Sequence, residues 1–159
     1  MSENRVAVVS QGSEIHCLLI PLTDQTLLVP TVTVAEMAPV QPIAKVEGAP
    51  RWLYGMYRWR ELDIPLIAYE VLNGGEPMPL NTSGRIAVFN NTGVSDSLHF
   101  VAIAAQGIPR MARVGESDIN ENTDQAKGPV DLMAVKVGME EFVIPDVAAL
   151  ETAYLSLGL

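Results

Sequence analysis

The chain of 159 residues is poor in the side chains that build most metal and redox sites, since it has one cysteine and two histidines. Cys17 has no second cysteine to pair with, so we expect a small buried hydrophobic side chain and a reducing compartment. His16 and His99 each lie in an apolar run, without the cysteine or carboxylate spacing of a metal site. The sequence therefore predicts no metal and no internal disulfide.

Recognised catalytic and cofactor motifs are also missing. The chain contains no GxxxxGK phosphate loop, no GxGxxG turn and no GxSxG elbow. The adjacent carboxylates Glu140 and Glu141 would point to opposite faces of a strand, so they form no acid–base pair. We expect no catalytic residues and no cofactor. A small-barrel enzyme whose site is assembled from distant residues stays open as an alternative.

Positive charge and long apolar runs are scarce. The chain has 10 basic and 19 acidic residues, a net charge of −9, which disfavours nucleic acid and anionic membrane surfaces as partners. No apolar run approaches about 20 residues, so no direct membrane insertion is expected. The N-terminus, MSENRVAVV, lacks the basic region and long apolar stretch of a signal peptide. These features favour a cytoplasmic protein.

What the chain does contain is a series of short runs of β-branched and aliphatic residues, separated by Gly, Pro and Asn. Strands are predicted at residues 5–10, 14–22, 26–29, 31–37, 52–60, 62–71, 85–89, 98–105, 108–114, 132–137 and 141–144. One helical turn is predicted at 43–46, an exposed connection at 73–84 and an acidic loop at 115–128. A C-terminal helix is expected to begin at Pro145. The predicted fold is all-β with a short C-terminal helix, either barrels or a sandwich.

Residues 46–72 concentrate both tryptophans, three of the four tyrosines and three arginines. Strand alternation separates Leu53, Gly55, Tyr57 and Trp59 on one face from Tyr54, Met56, Arg58 and Arg60 on the other. We expect the first face to be core. For Arg58 and Arg60 the pattern leaves two interpretations open, simple solvation or partner binding. A locally positive site on an acidic body would suit an acidic protein partner.

The order of residues in this stretch resembles the CheW family of bacterial chemosensory coupling proteins. Family members carry Val-x-Glu at a strand end and then P-x-F-φ-x-G-φ-x-N-L-R-G-x-φ-φ-P-φ-φ-D-L, where φ is apolar. Here Val34-Ala35-Glu36 fits the first part, and residues 50–69, PRWLYGMYRWRELDIPLIAY, fit the second at unbroken spacing. Residues 101–108, VAIAAQGI, are similar to a later strand and turn of the family.

The resemblance implies one CheW-like domain over residues 1–159, built from two intertwined five-stranded SH3-like barrels that share a core. It implies a non-catalytic adaptor that links the cytoplasmic tip of a methyl-accepting chemoreceptor to the regulatory domain of a CheA-type histidine kinase. Such an adaptor would work in the cytoplasm, at membrane-associated chemoreceptor arrays. The alternative is a module that binds and inhibits or titrates a kinase without coupling it to a receptor.

The predicted partner-binding residues are Val34, Glu36, Gly55, Arg58, Arg60 and Glu61. Glu36, Gly55 and Arg60 match family positions implicated in partner contacts. Glu61 stands where the family has glycine, and Ala68 and Gln106 each stand where it has aspartate. We expect Glu61 to remove a position that can adopt positive φ. These departures suggest a divergent branch with its own kinase or receptor, such as a chemosensory system of pilus-driven twitching motility.

Overall fold

The computed structural model describes residues 14–159, which form eleven strands in two sheets. The strands are β1 (Ile15–Pro21), β2 (Thr26–Pro30), β3 (Val34–Ala38), β4 (Leu53–Trp59), β5 (Leu62–Ile67), β6 (Arg85–Asn90), β7 (Phe100–Ala105), β8 (Arg110–Val114), β9 (Ile119–Glu121), β10 (Asp131–Val137) and β11 (Glu140–Pro145). The strand predicted at residues 5–10 lies outside the described residues.

The chain crosses between the sheets twice. The first sheet has the order β8-β1-β2-β11-β10-β9, and the second has the order β3-β6-β7-β5-β4. The whole second sheet is thus inserted between β2 and β8 of the first. Most neighbours are antiparallel, but β2 pairs with β11 and β5 with β7 in parallel. The two sheets are therefore intertwined along the sequence.

A shared hydrophobic core joins the two sheets. One cluster of buried side chains takes Ile20 and Leu27 from the first sheet and Phe89 and Ile103 from the second. Two further clusters are each drawn from one sheet. One surrounds Phe142 in the first sheet, and the other consists of buried side chains of the second sheet. Full burial of one such large side chain stabilises the fold by roughly 1.5–3 kcal/mol. The three-part core positions both sheets relative to each other.

Two short helices cover this core, α1 (Tyr69–Leu72) and α2 (Val147–Leu155). The side chain of Asp146 accepts a hydrogen bond from the Ala149 N–H at 3.1 Å, so Asp146 is the N-cap of α2. Pro145 is consequently the last residue of β11 rather than the first of the helix. Helix α1 was not predicted, because four residues are too few to show a helical period. No helix within residues 14–159 is long and apolar enough to cross a membrane.

The predicted all-β fold with a short C-terminal helix is confirmed, but several local predictions besides the helix start are wrong. The strand predicted at 62–71 ends at Ile67, because residues 69–72 form α1. Residues Thr31–Thr33 form a 3-10 turn after Pro30, and Val32 is 82% exposed, so β3 begins only at Val34. The expected helical turn at 43–46 is instead an extended segment that bridges β4. The acidic loop at 115–128 contains β9, which makes the first sheet six-stranded.

Candidate functional site

The site begins with a tight hairpin between β4 and β5. Trp59 pairs with Leu62, so Arg60 and Glu61 are the two connecting residues. Both have positive φ, 49° and 66°, which is the pattern of a type I′ turn. Each non-glycine residue in this region costs roughly 1–2 kcal/mol. The expectation that Glu61 abolishes positive φ is therefore wrong: the tight hairpin keeps that conformation with glutamate in place.

Glu36 on β3 meets this hairpin. Its Oε1 accepts hydrogen bonds from Trp59 Nε1 at 2.9 Å and from Arg60 Nη2 at 3.2 Å. Arg60 Cζ lies 4.6 Å from the centroid of the Trp59 ring, in cation–π contact. We call these three residues the Glu36–Trp59–Arg60 cluster. Since β3 and β4 are opposite edges of the second sheet, the cluster joins those edges.

The Glu36–Trp59–Arg60 cluster is buried at its base and exposed at its tip. Trp59 is 6% exposed and packs edge-on against Phe100, with ring centroids 4.7 Å apart. The side chains of Arg60 and Glu36 are 67% and 38% exposed. The aromatic base fixes the position of the charged groups, which are accessible to solvent and to a binding partner.

Tyr57 adds a second connection between the same two edges. Its hydroxyl donates to the Pro39 carbonyl oxygen at 2.6 Å. Burial, and then the negative charge of Glu36, raise the pKa of the Tyr57 hydroxyl. Tyr57 is 2% exposed, so the prediction that Tyr57 and Trp59 belong to the core face is confirmed. The hydroxyl therefore stays a neutral donor near the carboxylate.

Arg58 lies beside the cluster and forms its own ion pair. Its Nη1 is 3.1 Å from Asp63 Oδ1, and both side chains are exposed. An exposed pair of this kind contributes roughly 0–1 kcal/mol. Arg58 and Arg60 thus each have a carboxylate beside them, so the hairpin is less positive than the sequence predicted. Lys45 and Arg51 form no ion pair with any residue of 14–159.

Gly55 and Val34 lie deeper than the other predicted site residues. Gly55 is buried on β4 with φ 142°, and a Cβ there would clash with the Ala44 carbonyl oxygen and lie 2.8 Å from Ile43 Cγ2. Val34 is half-buried at the start of β3 and packs against the shared core. Gly55 therefore permits the close approach of the segment that bridges β4.

The structure brings Glu36 and Arg60 into contact, while Glu61 and Arg58 are exposed and adjoin Arg60 and Trp59 only along the chain. The residue that sequence reasoning left out of the site is Trp59. The sequence feature that could have identified Trp59 is its position, where the family pattern has leucine. The arrangement offers charge, hydrogen bonds and an aromatic surface. Among the described residues, no group of three or more His, Cys, Asp and Glu is placed to hold a metal ion.

Gln106, at a position where the family pattern has aspartate, lies between the sheets. Its backbone N–H donates to the Pro21 carbonyl oxygen at 2.9 Å. Its side-chain Nε2 donates to Glu70 Oε1 at 3.0 Å, while Glu70 Oε2 accepts the Thr23 N–H at 2.7 Å. Gln106 therefore takes part in polar contacts between the first sheet and α1.

Comparison with known proteins places this geometry in context. A family model described as a CheW-like domain matches residues 16–153. The chain is similar to the crystal structure of the scaffolding protein TtCheW from Thermoanaerobacter tengcongensis, with a TM-score of 0.69 and 14% sequence identity. That similarity covers 82% of this chain and 83% of the other. No curated protein sequence matches the chain.

Proposed function

This chain belongs to the CheW family, and on that premise we propose that it is a non-catalytic chemosensory adaptor. The adaptor links the cytoplasmic tip of a methyl-accepting chemoreceptor to the regulatory domain of a CheA-type histidine kinase. It acts in the cytoplasm, at membrane-associated receptor arrays. The fold supports the proposal, because it is the fold of a scaffolding protein, TtCheW.

The observation that carries the proposal is the Glu36–Trp59–Arg60 cluster. Tryptophan and arginine are the residues most often found at energetic hot spots of protein interfaces. Here the arginine is stacked on a buried tryptophan and held by a carboxylate, so little side-chain freedom is lost when a partner binds. Glu61 is the exposed neighbour of Arg60 in the turn, and Arg58 is the exposed residue before Trp59. Val34 and Gly55 contribute to the site indirectly, because they shape β3 and β4.

The proposed mechanism is mechanical. An adaptor transmits a receptor's conformational bias if it makes different contacts in the two receptor states. Transmission needs a stiff body, and hydrogen bonds between β10 of the first sheet and α1, which follows β5 of the second, contribute to one. Asp131 of β10 accepts bonds from the Tyr69 hydroxyl at 2.6 Å and from Asn73 Nδ2 at 3.0 Å. These contacts support the proposal that residues 1–159 act as a single CheW-like domain.

The proposal extends to a divergent branch with its own kinase or receptor. Glu61, Ala68 and Gln106 replace the residues of the family pattern, and Glu61 lies on the exposed tip of the hairpin. A negative charge at that position would disfavour partners that suit a glycine there. A pilus-motility chemosensory system is the proposed setting.

The test measures binding to the regulatory domain of each CheA-type kinase of the same cell, and to purified receptor tips. We expect Arg60→Ala to weaken kinase or receptor binding by at least about 2 kcal/mol, roughly thirtyfold. The free energy of unfolding should change by less than about 0.5 kcal/mol, because Arg60 is exposed. The control is Arg113→Ala, an exposed arginine on β8, which should bind normally.

Co-sedimentation of receptor, kinase and adaptor decides between the adaptor and its alternative. A ternary complex that requires this chain supports the adaptor. Kinase binding without a ternary complex would instead indicate an inhibitory or titrating module. If Arg60→Ala mainly unfolds the protein, Arg60 is structural and the assignment of the site is wrong.

A further inference from the structure

A second surface lies on the same sheet as the Glu36–Trp59–Arg60 cluster and is lined by other residues. Side chains from two segments of the chain, residues 40–54 and residues 77–82, line an open cavity of about 960 Å³. We call it the proline groove, because Pro42, Pro50, Pro77 and Pro79 line it. Its volume is at the upper end of the range of roughly 300–1,000 Å³ that is usual for ligand sites. It shares no residue with the cluster.

The proline groove is preformed. The Tyr54 hydroxyl donates to the Met78 carbonyl oxygen at 3.1 Å, which connects one wall to the other. Behind the first wall, Ala44 and Met56 exchange two backbone hydrogen bonds of 3.0 and 2.8 Å. Proline restricts the backbone of both walls. A segment that enters the groove therefore pays little for ordering the protein.

The charge of the groove is opposite to that of the whole chain. Lys45 and Arg51 are its charged lining residues, and its lining contains no aspartate or glutamate. Both are exposed, and neither forms an ion pair within residues 14–159. This differs from Arg58 and Arg60, which each have a carboxylate partner. On a chain with a net charge of −9, the groove is a local site for negative charge.

The rest of the lining is largely apolar. Ile43, Val46, Leu53 and Leu80 contribute aliphatic surface, and Met78 adds a flexible thioether side chain that adapts to different shapes. An occupant therefore needs apolar side chains for the floor and acidic groups for the rim. Nucleic acid fits poorly, because an acidic chain repels its backbone.

We propose that the proline groove binds an extended segment of a partner protein in which apolar and acidic residues alternate. The apolar side chains enter the groove, and the carboxylates meet Lys45 and Arg51 at its rim. The charge pairs speed encounter and set the polarity of the segment that is accepted. This surface is independent of the proposed adaptor function, since it would bind such a segment even if the chain met no kinase.

The probes are three fluorescent heptapeptides, measured by fluorescence anisotropy on the full-length protein. They are Glu-Leu-Asp-Val-Glu-Leu-Asp, its amide form Gln-Leu-Asn-Val-Gln-Leu-Asn, and its basic form Lys-Leu-Lys-Val-Lys-Leu-Lys. We expect the acidic peptide to bind at least about tenfold more tightly than the amide form. Its affinity should fall as salt is added, because salt screens exposed charges.

Charge reversal locates the site. The double variant Lys45→Glu/Arg51→Glu should weaken the acidic peptide at least about tenfold and improve binding of the basic one. The control, Arg113→Glu/Lys127→Glu, makes the same change in net charge at exposed positions outside the groove. Its affinity for the acidic peptide should change less than about threefold.

Three results would overturn the proposal. They are no binding of the acidic peptide up to about 1 mM, equal affinity for the acidic and basic peptides, or an equal loss in the groove variant and its control. A melting temperature of the groove variant close to that of the parent establishes that the loss is not unfolding. A second variant, Leu80→Asn, should weaken binding of the acidic peptide by removing apolar surface without changing the charge of the groove.

Discussion

Trp59 donates its indole N–H to the carboxylate of Glu36 across 2.9 Å, and this bond joins the two edge strands of the five-stranded sheet. Tyr57 makes a parallel connection through Pro39. These side-chain bonds hold the two edges of the sheet together, and the Trp59 ring supports Arg60 above it.

The indole hydrogen bond can be tested by substitution at Trp59 and at a second tryptophan. Trp59→Phe keeps an aromatic ring against Phe100 but loses the donor to Glu36, so we expect a loss of about 1–2 kcal/mol in the free energy of unfolding. Urea denaturation measures it. Trp52→Phe is the matched control, because no hydrogen bond from the Trp52 indole is found within residues 14–159. A double-mutant cycle with Glu36→Ala that shows no coupling would contradict the prediction.

The strained hairpin offers a stabilising substitution. Glu61 has φ 66°, so Glu61→Gly removes the clash of its Cβ with the backbone and should raise the free energy of unfolding by about 0.5–1 kcal/mol. Glu61→Ala is the control, because it removes the charge but keeps the Cβ. If both variants are equally stable, charge rather than backbone strain governs this position.

Gly55 is expected to tolerate no side chain. Gly55→Ala would push against the Ala44 carbonyl, and we expect a loss of at least about 2 kcal/mol in thermal or urea unfolding. Gly138→Ala is the comparison, since Gly138 has φ 64° but no atom within 4 Å of its Cβ position. Its cost should be limited to about 1 kcal/mol of backbone strain. Similar losses in the two variants would mean that crowding at Gly55 is unimportant.

Alkaline pH should weaken the contact between α1 and β10, which the Tyr69–Asp131 hydrogen bond makes. Burial first, and then the hydrogen bond to Asp131, raise the pKa of Tyr69 above its ordinary value of 10.0. The neutral hydroxyl therefore stabilises the fold fully below about pH 10, and this contribution is lost as the pH rises above the unfolded-state pKa.

Between about pH 9 and pH 11 the parent protein should lose about 1.4 kcal/mol more stability than Tyr69→Phe, by urea unfolding at each pH. Tyr69→Phe is also expected to be less stable at neutral pH by about 1–3 kcal/mol, because it removes the donor to Asp131. Parallel pH dependences for the two proteins would show that Tyr69 is not the group that titrates.

Much of the sheet structure was predictable from alternation along the chain. The pattern at residues 52–60 placed Tyr57 and Trp59 inside and the two arginines outside. Strand β4 agrees for Tyr57, Trp59 and Arg58, whereas Arg60 is exposed in the turn that follows the strand. Predictions were wrong where a proline overrode the alternation, or where a segment was too short to show any. Residues 31–37 alternate like a strand, but Pro30 and the 3-10 turn that follows it delay the strand to Val34. Strand β9 has three residues, too few for alternation to indicate a strand.

The candidate site was predictable only as a set of residue types. Arg60 and Glu36 were singled out by their positions in a family pattern, and their contact with each other was not foreseen. Trp59 was assigned to the core, which it occupies, yet its N–H and ring face also hold the two charged residues. A sequence pattern reports which face a side chain lies on, and it does not report which neighbour that face meets.

The sequence by itself determined the secondary-structure class, the family and the absence of recognised catalytic motifs, because alternation, turn residues and motif spacing are local properties. Only the tertiary structure decided which charges are neutralised. Arg58 and Arg60 meet carboxylates, whereas Lys45 and Arg51 face an apolar groove. Glu36 and Arg60 lie 24 residues apart along the chain, and only closure of the barrel brings their opposite charges within 3.2 Å.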